Sequence, residues 1–104
     1  MAKCKITVLR RMLNEDYAKE YCANPETGVC SFFEEGQVFV LNNQEKPDGF
    51  CEEAWSSMTR YVFAFNAGGG NFFDGRWMKH ENTMIACCND GVRPVVFKLE
   101  RIDE

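Results

Sequence analysis

The sequence predicts a single α+β domain over residues 1–104, with a sheet of about four strands, antiparallel or mixed, one long helix and one short helix. Three observations predict it. Apolar residues alternate near the N-terminus, a helical stripe runs through the middle of the chain, and two runs of β-forming residues flank Asn89-Asp90-Gly91. The resulting order, β-α-β-α-β-β, suits a sheet with the long helix on one face, and it also allows the sheet to roll into a half-barrel.

The N-terminal segment predicts a strand over residues 3–12 and a short helix over 15–23. In the strand, Cys4, Ile6 and Val8 alternate with Lys5, Thr7 and Leu9, which suits one inward face. The residue before the helix, Asn14, is the candidate N-cap, and the helix must end before Asn24-Pro25 because a residue preceding proline avoids the α region. The apolar side of this helix carries Tyr17, Ala18, Tyr21 and Cys22.

The central segment predicts a second strand over residues 37–41 and then the main helix. The strand is too continuously apolar to be wholly exposed. The helix follows a polar loop, with Asp48 or Gly49 as its N-cap, and Gly68-Gly69-Gly70 ends it. Its apolar residues trace one stripe, namely Cys51, Ala54, Trp55, Met58, Val62 and Phe65.

The C-terminal segment predicts a β-hairpin over residues 83–102. Asp-Gly between apolar runs is a strong hairpin signal, because glycine accepts the positive φ that tight hairpin turns require. Pro94 has no N–H to donate, so its strand is expected to lie at a sheet edge at that point. Ahead of the hairpin, residues 71–82 are irregular and aromatic, and we expect them to fold back over an apolar surface.

Composition argues against two classes of partner. The chain has a net charge of −4 and no basic cluster, whereas nucleic acids and anionic membranes are both bound through Lys and Arg.

The N-terminal apolar run is too short for a secretion signal or a spanning helix, so we expect a cytoplasmic protein. In a reducing compartment the six cysteines are expected to be thiols that serve as buried apolar groups, metal ligands or redox groups.

Four of the cysteines are candidate functional groups. Cys51 would lie in the first turn of the main helix, where the dipole favours a thiolate, so it is the candidate nucleophile. The neighbouring Glu52 and Glu53 oppose that charge, and a buried inert thiol is the alternative. Adjacent strand residues point to opposite faces, so one of the two vicinal thiols is expected to approach the helix. The candidate ligands for zinc or an iron centre are Cys30, Cys51 and Cys87 or Cys88, with Asp90 or His80 as the fourth.

The same thiols support two further hypotheses. A pair such as Cys51 with Cys87 or Cys88 could cycle between dithiol and disulfide, although no CxxC motif is present. His80, the only histidine, could act as a base for Cys51, but a lone loop histidine is more often simply solvated.

An aromatic pocket with a cationic wall is the other candidate site. Aromatic residues of the helix and of the 71–82 loop would combine with an arginine after the hairpin turn to bind a small carboxylate. The candidate ligand-binding residues are Trp55, Phe72, Phe73, Trp77 and Arg93. The leading expectation is therefore a domain that binds a small ligand or a partner, and an exposed strand edge allows it to form a homo-oligomer. A thiolate metal-binding or redox protein is the alternative.

Four segments together resemble a known family. They are KITVLRR in the first strand, PDGFC at 47–51 with Ala54-Trp55 beyond it, CSFFEEGQ at 30–37, and ACCNDGVRPVVFK at 86–98. The chain resembles, along its whole length, a family of small uncharacterised cytoplasmic proteins found mostly in anaerobic bacteria and archaea. The resemblance implies a stand-alone domain in an anaerobe and no catalytic role. Cys4 and Cys22 lie outside the matching segments.

Overall fold

Four strands and two helices make up the fold. A computed structural model describes residues 2–103. The strands are β1 (Lys3–Arg11), β2 (Val38–Leu41), β3 (Thr83–Cys87) and β4 (Val95–Ile102), and the helices are α1 (Glu15–Tyr21) and α2 (Glu52–Asn66). A 3-10 turn, Phe72–Gly75, lies between α2 and β3. All strand pairs are antiparallel, in the spatial order β2-β1-β4-β3. The predicted α+β class is confirmed, and the sheet is open rather than a half-barrel.

The helix α2 covers one face of the sheet and closes the core. Side chains alternate between the two faces of a strand, so every second residue from Cys4 to Val8 in β1 and from Val95 to Leu99 in β4 is buried beneath α2. These residues are Cys4, Ile6, Val8, Val95, Phe97 and Leu99. Four residues of the predicted helical stripe are buried against them, namely Ala54, Met58, Val62 and Phe65. The predicted inward faces of β1 and of the main helix are therefore confirmed.

A cluster of aromatic rings joins the loops to this core. The ring of Phe33 lies 5.0 Å from that of Phe50, 5.1 Å from that of Phe97 and 6.3 Å from that of Phe39, centroid to centroid. The rings meet edge to face, the arrangement that aromatic quadrupoles favour. Phe33 is thus the point at which the irregular segment ahead of β2 is attached to the core.

The short helix differs from its prediction. It ends at Tyr21 rather than at residue 23, and Ala18 is its only buried residue. Tyr17 and Tyr21, which the sequence placed on the apolar side of the helix, are exposed. The reason is the position of the helix. Asn14, at its start, donates its backbone N–H to the Val92 carbonyl in the β3–β4 loop at 2.8 Å. The helix therefore stands at the end of the sheet, whose covered face α2 already occupies.

The main helix begins later than predicted. Its N-cap is Cys51, not Asp48 or Gly49. Residues 47–50 first form a turn, with the Phe50 N–H donating to the Pro47 carbonyl at 3.2 Å and Gly49 at a φ of 76°. This turn buries Phe50 before the helix starts. The predicted end is confirmed, since the helix stops at Asn66 and Gly68 follows at a φ of 87°.

The C-terminal hairpin is confirmed, but its turn is not tight. A loop of residues 88–94 joins β3 to β4, and Gly91 does not have a positive φ. The Asp90 carboxylate holds the loop instead, by accepting the backbone N–H groups of Val92 and Arg93 at 2.9 and 3.0 Å. The edge placement of Pro94 is wrong, because β4 is a central strand. Pro94 precedes the first ladder residue, so its missing N–H interrupts no pairing, and its carbonyl accepts the Met12 N–H.

Candidate functional site

A cleft of about 380 Å³ opens where three distant segments meet. They are the loop ahead of β2, the N-terminal end of α2 and the β3–β4 loop. Each segment contributes one thiol, and the three are Cys30, Cys51 and Cys88. The apolar walls of the cleft are Phe32, Phe33, Ala54 and Val95. Its polar residues are Ser31, Glu53, Asn89, Asp90 and Arg93.

Cys30 is placed by the strand beside it and by the aromatic cluster. The Arg11 guanidinium donates to the Cys30 carbonyl at 3.2 Å, and Phe33 anchors the chain three residues later. The Phe32 backbone N–H donates to the Cys30 sulfur at 3.4 Å. This bond fixes the direction in which the sulfur lies.

Cys88 is placed by the end of the hairpin ladder. Its N–H donates to the Val95 carbonyl at 3.0 Å, and the Val95 N–H donates to its sulfur at 3.2 Å. The sulfur therefore takes the place of a carbonyl oxygen in the last pair of the ladder. Two of the three cleft sulfurs thus accept a backbone N–H, the kind of hydrogen bond that tunes thiolates in metal centres.

Cys51 is placed by the start of α2. Its carbonyl accepts the Trp55 N–H at 2.9 Å, which begins the helix, while its side chain makes no capping hydrogen bond. The thiol is half-buried. The side chain is thus free to face the cleft, beside first-turn backbone N–H groups that have no partner within the helix.

A side-chain hydrogen bond closes the cleft on one side. The Asn89 amide donates to the Glu53 carboxylate at 2.9 Å, which ties the β3–β4 loop to α2. In the same loop, the Arg93 guanidinium donates to Asp90 at 3.1 Å. The Arg93 backbone N–H and the other donors hold the pKa of Asp90 below its usual value. With Glu53 and Asp90 against Arg93, the ionised side chains of the cleft sum to one negative charge.

The vicinal thiols have different environments. Cys88 lines the cleft, whereas Cys87 is exposed and does not. Partial desolvation of its sulfur, and next the neighbouring Cys88 thiol, raise the pKa of Cys87. Since the thiolate is the nucleophile, Cys87 is a weak one near neutral pH. Of the pair, only Cys88 lines the cleft that Cys51 also lines, and its approach to Cys51 stays a prediction.

Cys4 lies outside the site, and ionisation of its thiol is suppressed. It is fully buried in β1, and burial raises its pKa to about 12. Because a raised pKa favours the protonated form in the folded state, the stability that this thiol contributes is complete below its unfolded pKa of 9.0 and is lost as the pH rises towards 12.

Comparison of the wild type with Cys4→Ala tests this assignment. As the pH rises above 9.0, the free energy of unfolding of the wild type should fall relative to that of the variant, with a slope that approaches about 1.4 kcal/mol per pH unit near pH 10. Urea denaturation between roughly pH 8 and pH 10.5 measures the two slopes. Parallel pH dependence in the two proteins would show that the Cys4 thiol is not buried.

The predicted aromatic pocket is not assembled. Of its five residues, only Arg93 lines the cleft. Trp55 packs on Phe50 at 5.8 Å, and Phe72 packs on Phe65 at 5.2 Å. Phe73 and Trp77 line a separate groove beside β3. The reason is the position of the 71–82 loop, which starts at the C-terminal end of α2, whereas the cleft lies at the N-terminal end. The two ends of this 15-residue helix are about 22 Å apart.

No preformed metal centre is present among residues 2–103. No three His, Cys, Asp or Glu side chains in this range lie close enough together to hold an ion. His80, considered as a fourth ligand or as a base for Cys51, is exposed and precedes β3, whereas Cys88 follows it. Five strand residues span about 16 Å, so His80 is at the wrong end of the strand for either role.

Several residues of the cleft were not singled out as site residues from the sequence, among them Phe32, Phe33 and Asn89. The available signal was adjacency, because the two phenylalanines follow Cys30 closely and Asn89 follows Cys88 directly.

Neither helix within residues 2–103 has the length and apolarity that crossing a membrane requires. Comparison with protein-family models, curated proteins and solved structures finds no match. The resemblance to a family of small proteins from anaerobes therefore stays a prediction.

Proposed function

We propose that this protein binds a small molecule in the thiol-lined cleft, as a cytoplasmic binding domain. The observation that carries the proposal is that three thiols from separate segments line one concave, largely apolar surface. Ligand sites are concave, mostly apolar and furnished with a few convergent polar groups, and volumes of roughly 300–1,000 Å³ are typical. The cleft, at about 380 Å³, suits a small ligand.

The charges of the cleft narrow the chemistry of that ligand. Arg93 is already paired with Asp90, and Glu53 adds a further negative charge. This balance disfavours the carboxylate that the sequence suggested and favours a neutral or cationic group. The apolar body of the ligand would lie on Phe32 and Phe33, and its soft, polarisable part would face the sulfurs.

An NMR screen of neutral and cationic aromatic fragments against the ¹⁵N-labelled protein tests the proposal. Binding fragments should shift the amides of Phe32, Ala54 and Val95. The variant Phe32→Ala removes one aromatic wall, and it should weaken the binding of those fragments about tenfold, because an aromatic contact contributes about 1.4 kcal/mol. Phe32 is 53% exposed, so the variant should fold normally.

The matched control is Phe63→Ala. Phe63 is 63% exposed and lines a different groove, on the outer side of α2. Its removal should leave fragment affinity unchanged. If no fragment shifts the cleft amides, or if Phe63→Ala weakens binding and Phe32→Ala does not, the cleft is not the binding site.

Thiol chemistry at the same cleft is the second candidate function, and the two N–H···S hydrogen bonds favour it. Two cleft thiols can reduce a small disulfide such as oxidised glutathione. One thiolate attacks a sulfur to form a mixed disulfide and releases one thiol, and the second thiolate then closes the protein disulfide and releases the other. Alternatively, the cleft thiols could bind zinc or iron, but they would first have to move closer together, because no three ligands within residues 2–103 are close enough in this structure.

Protein purified without oxygen separates these alternatives. A metal content near one per chain that is lost in Cys51→Ser and kept in Cys22→Ser would support metal binding. A disulfide among Cys30, Cys51 and Cys88 after treatment with oxidised glutathione, found by peptide mapping, would support redox chemistry. If the protein purified without oxygen contains no metal, and if all six thiols stay free after exposure to oxidised glutathione, thiol chemistry is excluded as the function.

A further inference from the structure

A second, shallow groove lies against β3 at the free edge of the sheet, with a volume of about 790 Å³. The 3-10 turn and the residues after it form one wall, and β3 forms the other. Phe73 and Trp77 are 65% and 64% exposed, and Ile85 is 37% exposed. The groove is lined by Phe73, Asp74, Arg76, Trp77, Met84 and Ile85.

The backbone of β3 is open at this groove. Arg101 donates to the Asn82 carbonyl and Cys88 donates to the Val95 carbonyl, so the even-numbered residues from 82 to 88 are those that bond to β4. In an antiparallel ladder the residues between them turn their N–H and C=O groups the other way. Ile85 and Cys87 therefore present backbone donors and acceptors at the sheet edge that have no partner within residues 2–103.

Part of the aromatic wall has a strained backbone. Phe73 and Asp74 have φ values of 58° and 56°, in the left-handed region that bulky residues rarely adopt. The Phe73 side chain is largely exposed and does not belong to the core. Strain of this kind persists where the surrounding structure over-determines it, and it clusters at functional sites.

We propose that this groove and the edge of β3 form an interface with a second copy of the chain. Two β3 strands would pair antiparallel about a two-fold axis at Ile85, which gives one continuous eight-stranded sheet. A two-fold axis requires a self-complementary surface. Asp74 and Arg76 supply one, since they carry opposite charges beside the groove and neither forms a salt bridge within residues 2–103.

The composition of β3 also fits pairing with a second copy of the chain. Edge strands that must stay unpaired carry charged residues, proline or a bulge. The strand Thr83–Cys87, TMIAC, has no charge and no proline, and its register with β4 is unbroken. Nothing in its sequence therefore opposes pairing with an identical strand.

Sedimentation velocity from low micromolar to near-millimolar concentration tests the proposal. The wild type should shift from the mass of one chain to twice that mass. Ile85→Lys places like charges at the axis and should leave the protein monomeric throughout, and Trp77→Ala should raise the dissociation constant at least tenfold. Val40→Lys, which changes an exposed residue at the opposite edge, should dimerise as the wild type does.

Amide hydrogen exchange gives a readout that does not depend on a variant. The amides of Ile85 and Cys87 should become protected in the dimer, while the outward amides of β2 stay unchanged. A wild type that stays monomeric up to near-millimolar concentration overturns the proposal. So does a dimer that survives Ile85→Lys and is lost in Val40→Lys, or one that forms without protection of the β3 amides.

Discussion

Replacing Phe33 by alanine is expected to lower the free energy of unfolding by about 3–5 kcal/mol. Its ring is 2% exposed and meets the rings of Phe39, Phe50 and Phe97. The loss combines the transfer free energy of a buried ring with the cavity that it leaves, because those three rings also pack against other parts of the core. Urea denaturation of the wild type and the variant measures the difference.

The same substitution should also disturb the cleft, because Phe33 attaches the Cys30 segment to the core. Alkylation of Cys30 should become faster in Phe33→Ala. The neighbouring Phe32→Ala is the matched control, and with its ring 53% exposed it should cost less than about 1 kcal/mol. Similar losses from the two variants would mean that Phe33 is not the anchor of this segment.

Replacing Gly70 by alanine is expected to cost about 3 kcal/mol, near the upper end for overpacking. The backbone of Gly70 is not in the left-handed region, so the reason is space and not conformation. An added Cβ would overlap the Glu81 carbonyl oxygen, which accepts the Asn71 N–H at 2.8 Å. It would also press on Arg101, whose guanidinium donates to the Gly69 carbonyl beyond the end of α2 at 2.7 Å.

The control for this prediction is Gly28→Ala. No atom lies within 4 Å of the Cβ that would be added there, and the φ of Gly28 is not positive. This variant should be neutral or more stable by up to about 1 kcal/mol, because alanine has less conformational freedom in the unfolded chain. Thermal and urea unfolding of both variants check the contrast. Equal losses at the two glycines would show that Gly70 is not closely packed.

The fold was predictable where the signal is local and periodic. Alternation in β1, the apolar stripe of α2 and the apolar runs beside Asn89-Asp90-Gly91 each depend on residues close in sequence. The predicted limits of elements were wrong where the chain forms a local turn that the sequence pattern did not reveal. The turn at 47–50 delayed the start of α2, and Asp90 built a wider hairpin loop than Asp-Gly implies.

The candidate site was predictable in part, for a topological reason. A helix lying across a sheet brings its start near one end of a hairpin, which is why Cys51 and Cys88 share the cleft. The destination of the 71–82 loop was not predictable, because the composition of a loop does not say which surface its rings reach. Only part of the loop folds back over an apolar surface, since Phe72 packs on Phe65 while Phe73 and Trp77 are largely exposed. Trp77 and Phe73 consequently lie beside β3 rather than beside Arg93.

The most direct test of the shared cleft is a thiol cross-linking map. The variant Cys22→Ser/Cys87→Ser leaves Cys30, Cys51 and Cys88 as the reactive thiols, since Cys4 is buried. A short bifunctional maleimide added to this reduced, folded protein is expected to join two of the three within one chain, and peptide mapping identifies the pair. If each thiol is instead modified singly, with no link within the chain, the three sulfurs do not face one cleft.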